Sequence, residues 1–234
     1  MHPFRRFTAR SLKRPKFFLV MGAQRPSVVS LAKTQKGKGM GKICTTYNEV
    51  NRAYNKVRME LWNLGVLWDG SKLDAVECIY EPLQWRGLIG WMGFYEFLHR
   101  KGDGKIHFPA VYNGLDLRLR WIDKNSTIDV FRHEFGHALS DRYPGALKKG
   151  GVFRTAFGGP CDDKPAPGTD PEDWEGRCVT PYAATKTQED FAETFMLFMK
   201  HKGKIPTRFA KKPAIRKKWK AVAEIVRRVS AAKR

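Results

Sequence analysis

Two histidines four residues apart, with a glutamate directly after the first, stand in the run His133-Glu134-Phe135-Gly136-His137. On a helix, residues four apart lie one above the other on nearly the same face. Two imidazoles so placed can both bind one zinc ion, with bonds of about 2.0–2.1 Å. Glu134 then stands beside that face, within reach of a water the metal activates. The chemistry this set predicts is metal-assisted hydrolysis, with His133 and His137 as ligands of Zn2+ and Glu134 as general base. By chance alone the motif arises in roughly one chain in two hundred of this length. It therefore needs a third ligand.

After His137 the chain has one more histidine, His201, on a Lys/Gly-rich stretch that makes it a poor ligand. The segment Gln188-Glu189-Asp190-Phe191-Ala192-Glu193-Thr194-Phe195 offers more. Glu189 and Glu193 are four apart and share a helix face, while Phe191, Phe195, Phe198 and Met199 lie on another. Two carboxylates in this register, taken alone, mark a solvated face. Beside an HExxH helix either one can complete a three-ligand site that leaves a position for water.

The runs HEFGHAL and, downstream, YAATKTQEDFAETF resemble the Glu-ligand zincins, or gluzincins. The likeness is greatest to the branch containing the anthrax lethal factor catalytic domain and the clostridial Pro-Pro endopeptidases. In that branch a Tyr precedes the ligand Glu by seven residues, the spacing of Tyr182 and Glu189 here. The resemblance covers about Thr127–Lys200. It implies Glu189 as third ligand, Tyr182 as oxyanion donor and Glu193 as a carboxylate that orients a metal-bound histidine. It also implies a protein or peptide substrate, paired with a sheet edge drawn from Leu88–Tyr112. Asp190 departs from the pattern, since those relatives often carry an aromatic there.

The elements that must position these groups follow from periodicity. Val50, Tyr54, Val57, Leu61 and Leu64 recur at helical steps between Thr46 and Leu64. Three or four strand-like runs follow, near Ala75–Tyr80, Leu88–Phe97, Ile106–Tyr112 and Leu115–Ile122, separated by Gly, Pro and Asp. Asn125-Ser126-Thr127 supplies N-cap residues for the HExxH helix, with Asp129 in its first turn. Ile128, Phe131, Phe135, Ala138 and Leu139 fall within an arc of roughly 100°, and both histidines fall outside it. The helix stops before Pro144-Gly145, and Gly145–Thr180 reads as a long connection with an acidic cluster. A second helix spans about Thr187–Lys200, and an amphipathic one follows Pro213. The expected fold is α+β and zincin-like: a small, mostly antiparallel sheet, an HExxH helix and a second, Glu-bearing helix.

The formal charge of +21 sits at the ends. Residues 1–42 carry eleven Lys/Arg and no acids, and residues 200–234 carry fourteen against Glu224 alone, which leaves the middle at −3. This divides the chain into a basic arm (1–42), a metallopeptidase domain (43–203) and a basic amphipathic helix (204–234). Such ends favour weak binding of nucleic acid or other polyanions, or serve solubility alone. A nucleic-acid-associated protease and a non-catalytic interaction protein of the same fold are the competing readings. The apolar run Phe17–Ala23 reads as a buried strand or interaction segment rather than a cleaved signal. No apolar run is long enough for a membrane-spanning helix. Cys44, Cys78, Cys161 and Cys178 form no CxxC pair, so a thiolate zinc site is not expected. Free thiols are the default, although Cys161 and Cys178 flank one loop and could close it.

Overall fold

The computed structural model describes residues 46–81, 94–109, 126–166 and 174–233. The basic N-terminal arm, the run Phe17–Ala23, Cys44, the run Leu115–Ile122 and the acids Asp170, Glu172 and Asp173 lie outside the described residues.

Helix α1 (Tyr47–Asn63) opens with a reciprocal cap, in which Thr46 Oγ1 accepts from the Glu49 N–H and the Glu49 carboxylate accepts from the Thr46 N–H. Its buried face carries Val50, Tyr54, Val57 and Leu61, as the periodicity predicts, together with Ala53, while Leu64 is the half-buried C-cap. Three short strands follow: β1 (Cys78–Glu81), β2 (Phe94–Tyr95) and β3 (Ile106–Pro109). They form a sheet in the order β1-β3-β2, with β1 parallel and β2 antiparallel to β3. The sheet is thus mixed rather than mostly antiparallel. Alternating apolar residues specify which face a strand buries, but not the direction in which two strands pair.

Helix α2 (Thr127–Arg142) starts at Ser126, whose side chain and backbone N–H exchange hydrogen bonds with Asp129. Every residue from Phe131 to Ser140 is buried, so α2 is a central helix and its histidine-bearing side is packed as well. The expected long connection after it is partly helical. It contains α3 (Pro144–Lys148), a 3-10 turn (Lys149–Gly151) and α4 (Val152–Phe157). Pro144 occupies the first turn of α3, where its missing N–H does no harm. Gly151 and Gly158 bracket α4 with positive φ, so here glycine bounds a helix rather than forbidding one.

Helix α5 (Thr187–Lys200) is buried along thirteen consecutive residues, Thr187–Met199. A short α6 (Thr207–Ala210) leads into α7 (Pro213–Ala231), whose Ile215, Trp219, Val222, Ile225, Val226 and Val229 are buried. α7 packs on α5 and α4, so the apolar face of the basic C-terminal segment joins the core of the described residues. No helix among the described residues is long and apolar enough to cross a membrane.

Among the described residues the most extensive helix pairing is α2 on α5. A Cβ built at Gly136 would stand 3.0 Å from the Ala192 Cα and 3.3 Å from the Phe195 ring. Glycine within the HExxH run is what lets the two backbones approach. A chain of charges locks the same helices. Arg132 makes a two-armed contact with Glu60 of α1 at 2.7 and 2.8 Å and bonds Asp129 at 2.6 Å, and Asp129 accepts from Lys200 of α5 at 2.8 Å.

Candidate metal centre

Because α2 and α5 touch at Gly136 and Ala192, side chains one turn away on each helix meet. His133 Nε2, His137 Nε2 and Glu189 Oε2 form a triangle with edges of 3.0, 3.1 and 3.2 Å. All three residues are buried. Glu193, one turn further along α5 and fully buried, accepts from His133 Nδ1 at 2.6 Å. With the His133 proton on Nδ1, its Nε2 presents a lone pair to the triangle. The arrangement assigns the two carboxylates different places, Glu189 at the triangle and Glu193 behind His133.

The donor set fits zinc. Tetrahedral bonds of about 2.0–2.1 Å require donors roughly 3.3 Å apart, close to the observed edges. Two imidazole nitrogens and a carboxylate oxygen converging this closely must share either protons or a cation, and with both Nε2 atoms deprotonated the three become acceptors suited to one metal ion. Burial works against charge on Glu189, but His137 and His133 outweigh it and hold the carboxyl well below the usual range. Burial likewise opposes a charged His133, and the hydrogen bonds to Glu189 and Glu193 reverse that, raising its pKa well above the ordinary value. The buried Nδ1 of His137 has no partner among the described residues, while the Phe97 ring packs edge-on against its imidazole with centroids 5.2 Å apart.

Glu134 is also buried, and its Oε2 accepts from the Tyr95 backbone N–H of β2 at 2.8 Å. Burial pushes its carboxyl up, opposed by the neighbouring histidines. β2 lies at the edge of the described sheet, within the span Leu88–Tyr112. Tyr182 opens a 3-10 turn (Tyr182–Ala184), and its ring lies 6.0 Å from that of His133. The Tyr182 side chain is partly exposed, but desolvation of its hydroxyl, then the charges of Glu189, Glu134 and Glu193, push its pKa far up, so it remains a proton-bearing donor. The described structure therefore brings His133, Glu134, His137, Tyr182, Glu189 and Glu193 to one place.

Sequence reasoning missed several supports. Thr180 donates to Glu193 Oε2 at 3.0 Å and accepts from the Ala183 N–H at 3.1 Å, linking the Glu193 carboxylate to the Tyr182 turn. Asp141, one turn beyond His137, accepts from the Leu98 N–H at 2.8 Å and the Tyr95 hydroxyl at 2.9 Å, and contacts His99 Nδ1 at 2.6 Å. It fastens the segment after β2 to α2. The recurrence of polar residues at 133, 137 and 141 was the available signal. Asp190 forms a buried ion pair with Lys218 of α7 at 2.5 Å, which accounts for an acid at a position where an aromatic was expected. Cys78, Cys161 and Cys178 are free thiols, so the loop between Cys161 and Cys178 is not closed by a disulfide. Instead, Cys178 Sγ lies 3.4 Å from Lys218 Nζ and 3.8 Å from Asp190.

Residues 123–228 match the family model Peptidase_Mx, described as "Putative zinc-binding metallo-peptidase". The matched stretch runs from just before α2 through most of α7 and contains all six residues gathered around the triangle. The family's description names zinc, the cofactor that the donor set also indicates, and peptidase chemistry implies protein or peptide substrates. No curated protein and no solved structure matches significantly.

Proposed function

We propose that the chain is a zinc-dependent endopeptidase of gluzincin type, in which His133, His137 and Glu189 hold the metal. One observation carries this reading: three potential ligand atoms from two separate helices converge at 3.0–3.2 Å, with Glu134 beside them. Zinc held there supplies Lewis acidity, lowering the pKa of a bound water toward ~7 and polarising a carbonyl. Glu134 acts as general base; the Tyr95 N–H occupies its Oε2, and Oε1 takes the proton of the attacking water. The same carboxyl then delivers that proton to the leaving amine. The Tyr182 hydroxyl donates to the oxyanion that develops on the scissile carbonyl. Glu193 holds the His133 ring by Nδ1, which leaves Nε2 toward His137 and Glu189, where it would bind a metal.

The test compares zinc content and peptide-bond cleavage in wild type, Glu189→Ala, Glu134→Gln and Tyr182→Phe. Glu189→Ala should lose one equivalent of zinc relative to wild type, together with cleavage. Glu134→Gln and Tyr182→Phe should keep the zinc and lose cleavage, by ~10²–10⁴-fold for the base and ~10²–10³-fold for the oxyanion donor. Full activity in Glu134→Gln, or unchanged zinc in Glu189→Ala, would overturn the assignment.

A further inference from the structure

The apolar stripe of α7 faces the core, and the opposite side of the helix is basic. Trp219 fixes this orientation, with its ring buried and its indole N–H donating to the Gly203 carbonyl at 2.8 Å. Arg216, Lys220 and Arg227 are exposed on the other side. At 3.6 residues per turn they fall within an arc of roughly 40° and stand about 6 and 10.5 Å apart along the axis. Ala223 lies among them, so nothing bulky interrupts the row. Lys217 flanks it, and α6, which packs on α7, adds the exposed Arg208 and, at its end, Lys211.

Charge balance separates this face from an ordinary solvated one, on which both signs are typically mixed. Beyond Glu193 the sequence holds a single acid, Glu224. It accepts from Arg227 at 2.7 and 2.8 Å and from Arg228 at 2.8 Å, so one carboxylate serves two guanidiniums. Arg216, Lys217 and Lys220 have no acidic partner among the described residues. Lys218, the lysine of α7 that turns inward, does have one in Asp190. The helix thus pairs the lysine it buries and leaves the outward row uncompensated.

We propose that the outer face of α6 and α7 binds the phosphate backbone of duplex nucleic acid. A duplex carries one negative charge per ~1.7 Å of its axis, and cations that neutralise its phosphates release condensed counterions. Contacts of this kind position a partner without reading its sequence. Phe209 and Trp219, the aromatic residues of α6 and α7, are both buried, so the face offers no platform on which single-stranded bases stack. No large apolar side chain is exposed on either helix. The face therefore lacks both the residues that enter a membrane surface and the anchors around which protein interfaces form. α7 meets α5 through Lys218 and Asp190, whereas Glu189 and Glu193 turn toward α2. A duplex on the outer face stays clear of the metal triangle, and the inference does not depend on the peptidase reading.

The experiment titrates the full chain into a fluorescent DNA duplex of mixed sequence over a series of salt concentrations. Arg216→Gln, Lys217→Gln and Lys220→Gln are combined in one variant, because all three side chains are exposed and Gln suits a helix. Wild-type affinity should fall steeply with salt, by about 0.9 in log–log slope for each phosphate neutralised. The triple variant should bind ~10²-fold more weakly at about 0.1 M salt, with a slope shallower by about 2–3. Its zinc content and Tm should match those of wild type. Arg216→Lys should keep the wild-type slope, since either cation neutralises a phosphate. No binding by wild type at low salt, or an unchanged affinity and slope in the triple variant, would overturn the proposal. Tighter binding at equal salt to phosphatidylserine vesicles, or to single-stranded DNA of the same length, would overturn it as well.

Discussion

Gly136 and Ala192 stand face to face where α2 meets α5, with room for a hydrogen at 136 and not for a methyl group. A Cβ there meets backbone, which cannot rotate away, so the helices must part by some tenths of an ångström even for alanine. Gly136→Ala should lower zinc affinity measurably, and Gly136→Val should destabilise the fold by about 1–3 kcal/mol through overpacking. Urea unfolding and chelator competition measure the two effects separately. Gly136→Ala with wild-type stability and wild-type zinc affinity would show that the close approach is incidental.

Glu193 reaches His133 Nδ1 from full burial and is itself held by Thr180. Glu193→Gln keeps an acceptor for the imidazole proton but removes the charge that raises ligand basicity. Zinc affinity should fall by ~10–100-fold, followed by competition with a chromogenic chelator. A larger fall, down to no binding, would mean that Glu193 rather than Glu189 ligates.

The Lys218–Asp190 pair joins α7 to the turn of α5 that carries Glu189. Burial pushes the Asp190 carboxyl up to about 6 even with the ammonium beside it. Lys218→Met should therefore destabilise the chain by about 3–5 kcal/mol, because it strands a buried carboxylate. Replacing both partners, Lys218→Met with Asp190→Leu, should recover most of that loss. Thermal unfolding of the two single variants and the double variant gives the comparison. A double variant as unstable as Lys218→Met would show that packing, not charge, governs this contact.

Acid should loosen the helix junction in a defined window. Burial pushes Asp129 and Asp141 up, but their partners hold both below the ordinary 3.8. For Asp129 these are Lys200, Arg132 and Ser126; for Asp141 they are His99, the Leu98 N–H and the Tyr95 hydroxyl. Depressed carboxyls stabilise fully above the unfolded-state pKa, and the contribution is lost as pH falls through the folded-state value. Stability should hold above pH ~4 and decline below it. Asp141→Asn should be less stable at pH 7 and show a shallower decline in acid, as read from Tm against pH.

The local half of the design was legible in the chain. His133, Glu134 and His137, and the pair Glu189 and Glu193, were visible because helix periodicity converts a spacing of four into a shared face. The cap region at Asn125-Ser126-Thr127 was visible for the same reason, since Ser126 and its partner Asp129 are three residues apart. What could not be read joins distant positions. Nothing near Gly136 announces Ala192, and nothing near Lys218 announces Asp190. Parallel pairing of β1 with β3 leaves no trace in either strand alone. The helices at Pro144–Lys148 and Val152–Phe157 were hidden by glycines, of which Gly145 lies inside the first and Gly151 and Gly158 bound the second. Phe153 and Phe157 stack with each other and pack near Phe191, and that core contact holds the short α4 in place.

The pairing of Phe94 with His107 and Tyr95 with Ile106 sets more than the shape of a hairpin. A strand shifted by one residue turns every side chain to the opposite face. Loss or gain of a single residue between positions 98 and 105 would swing Tyr95 outward and bring the Glu96 carboxylate into the apolar layer beside α2. The Tyr95 N–H would leave Glu134 at the same time. The length of this ten-residue connection between Tyr95 and Ile106 is therefore as strict a requirement as the identity of any histidine: drift in its composition is tolerable at many positions, and drift in its length at none.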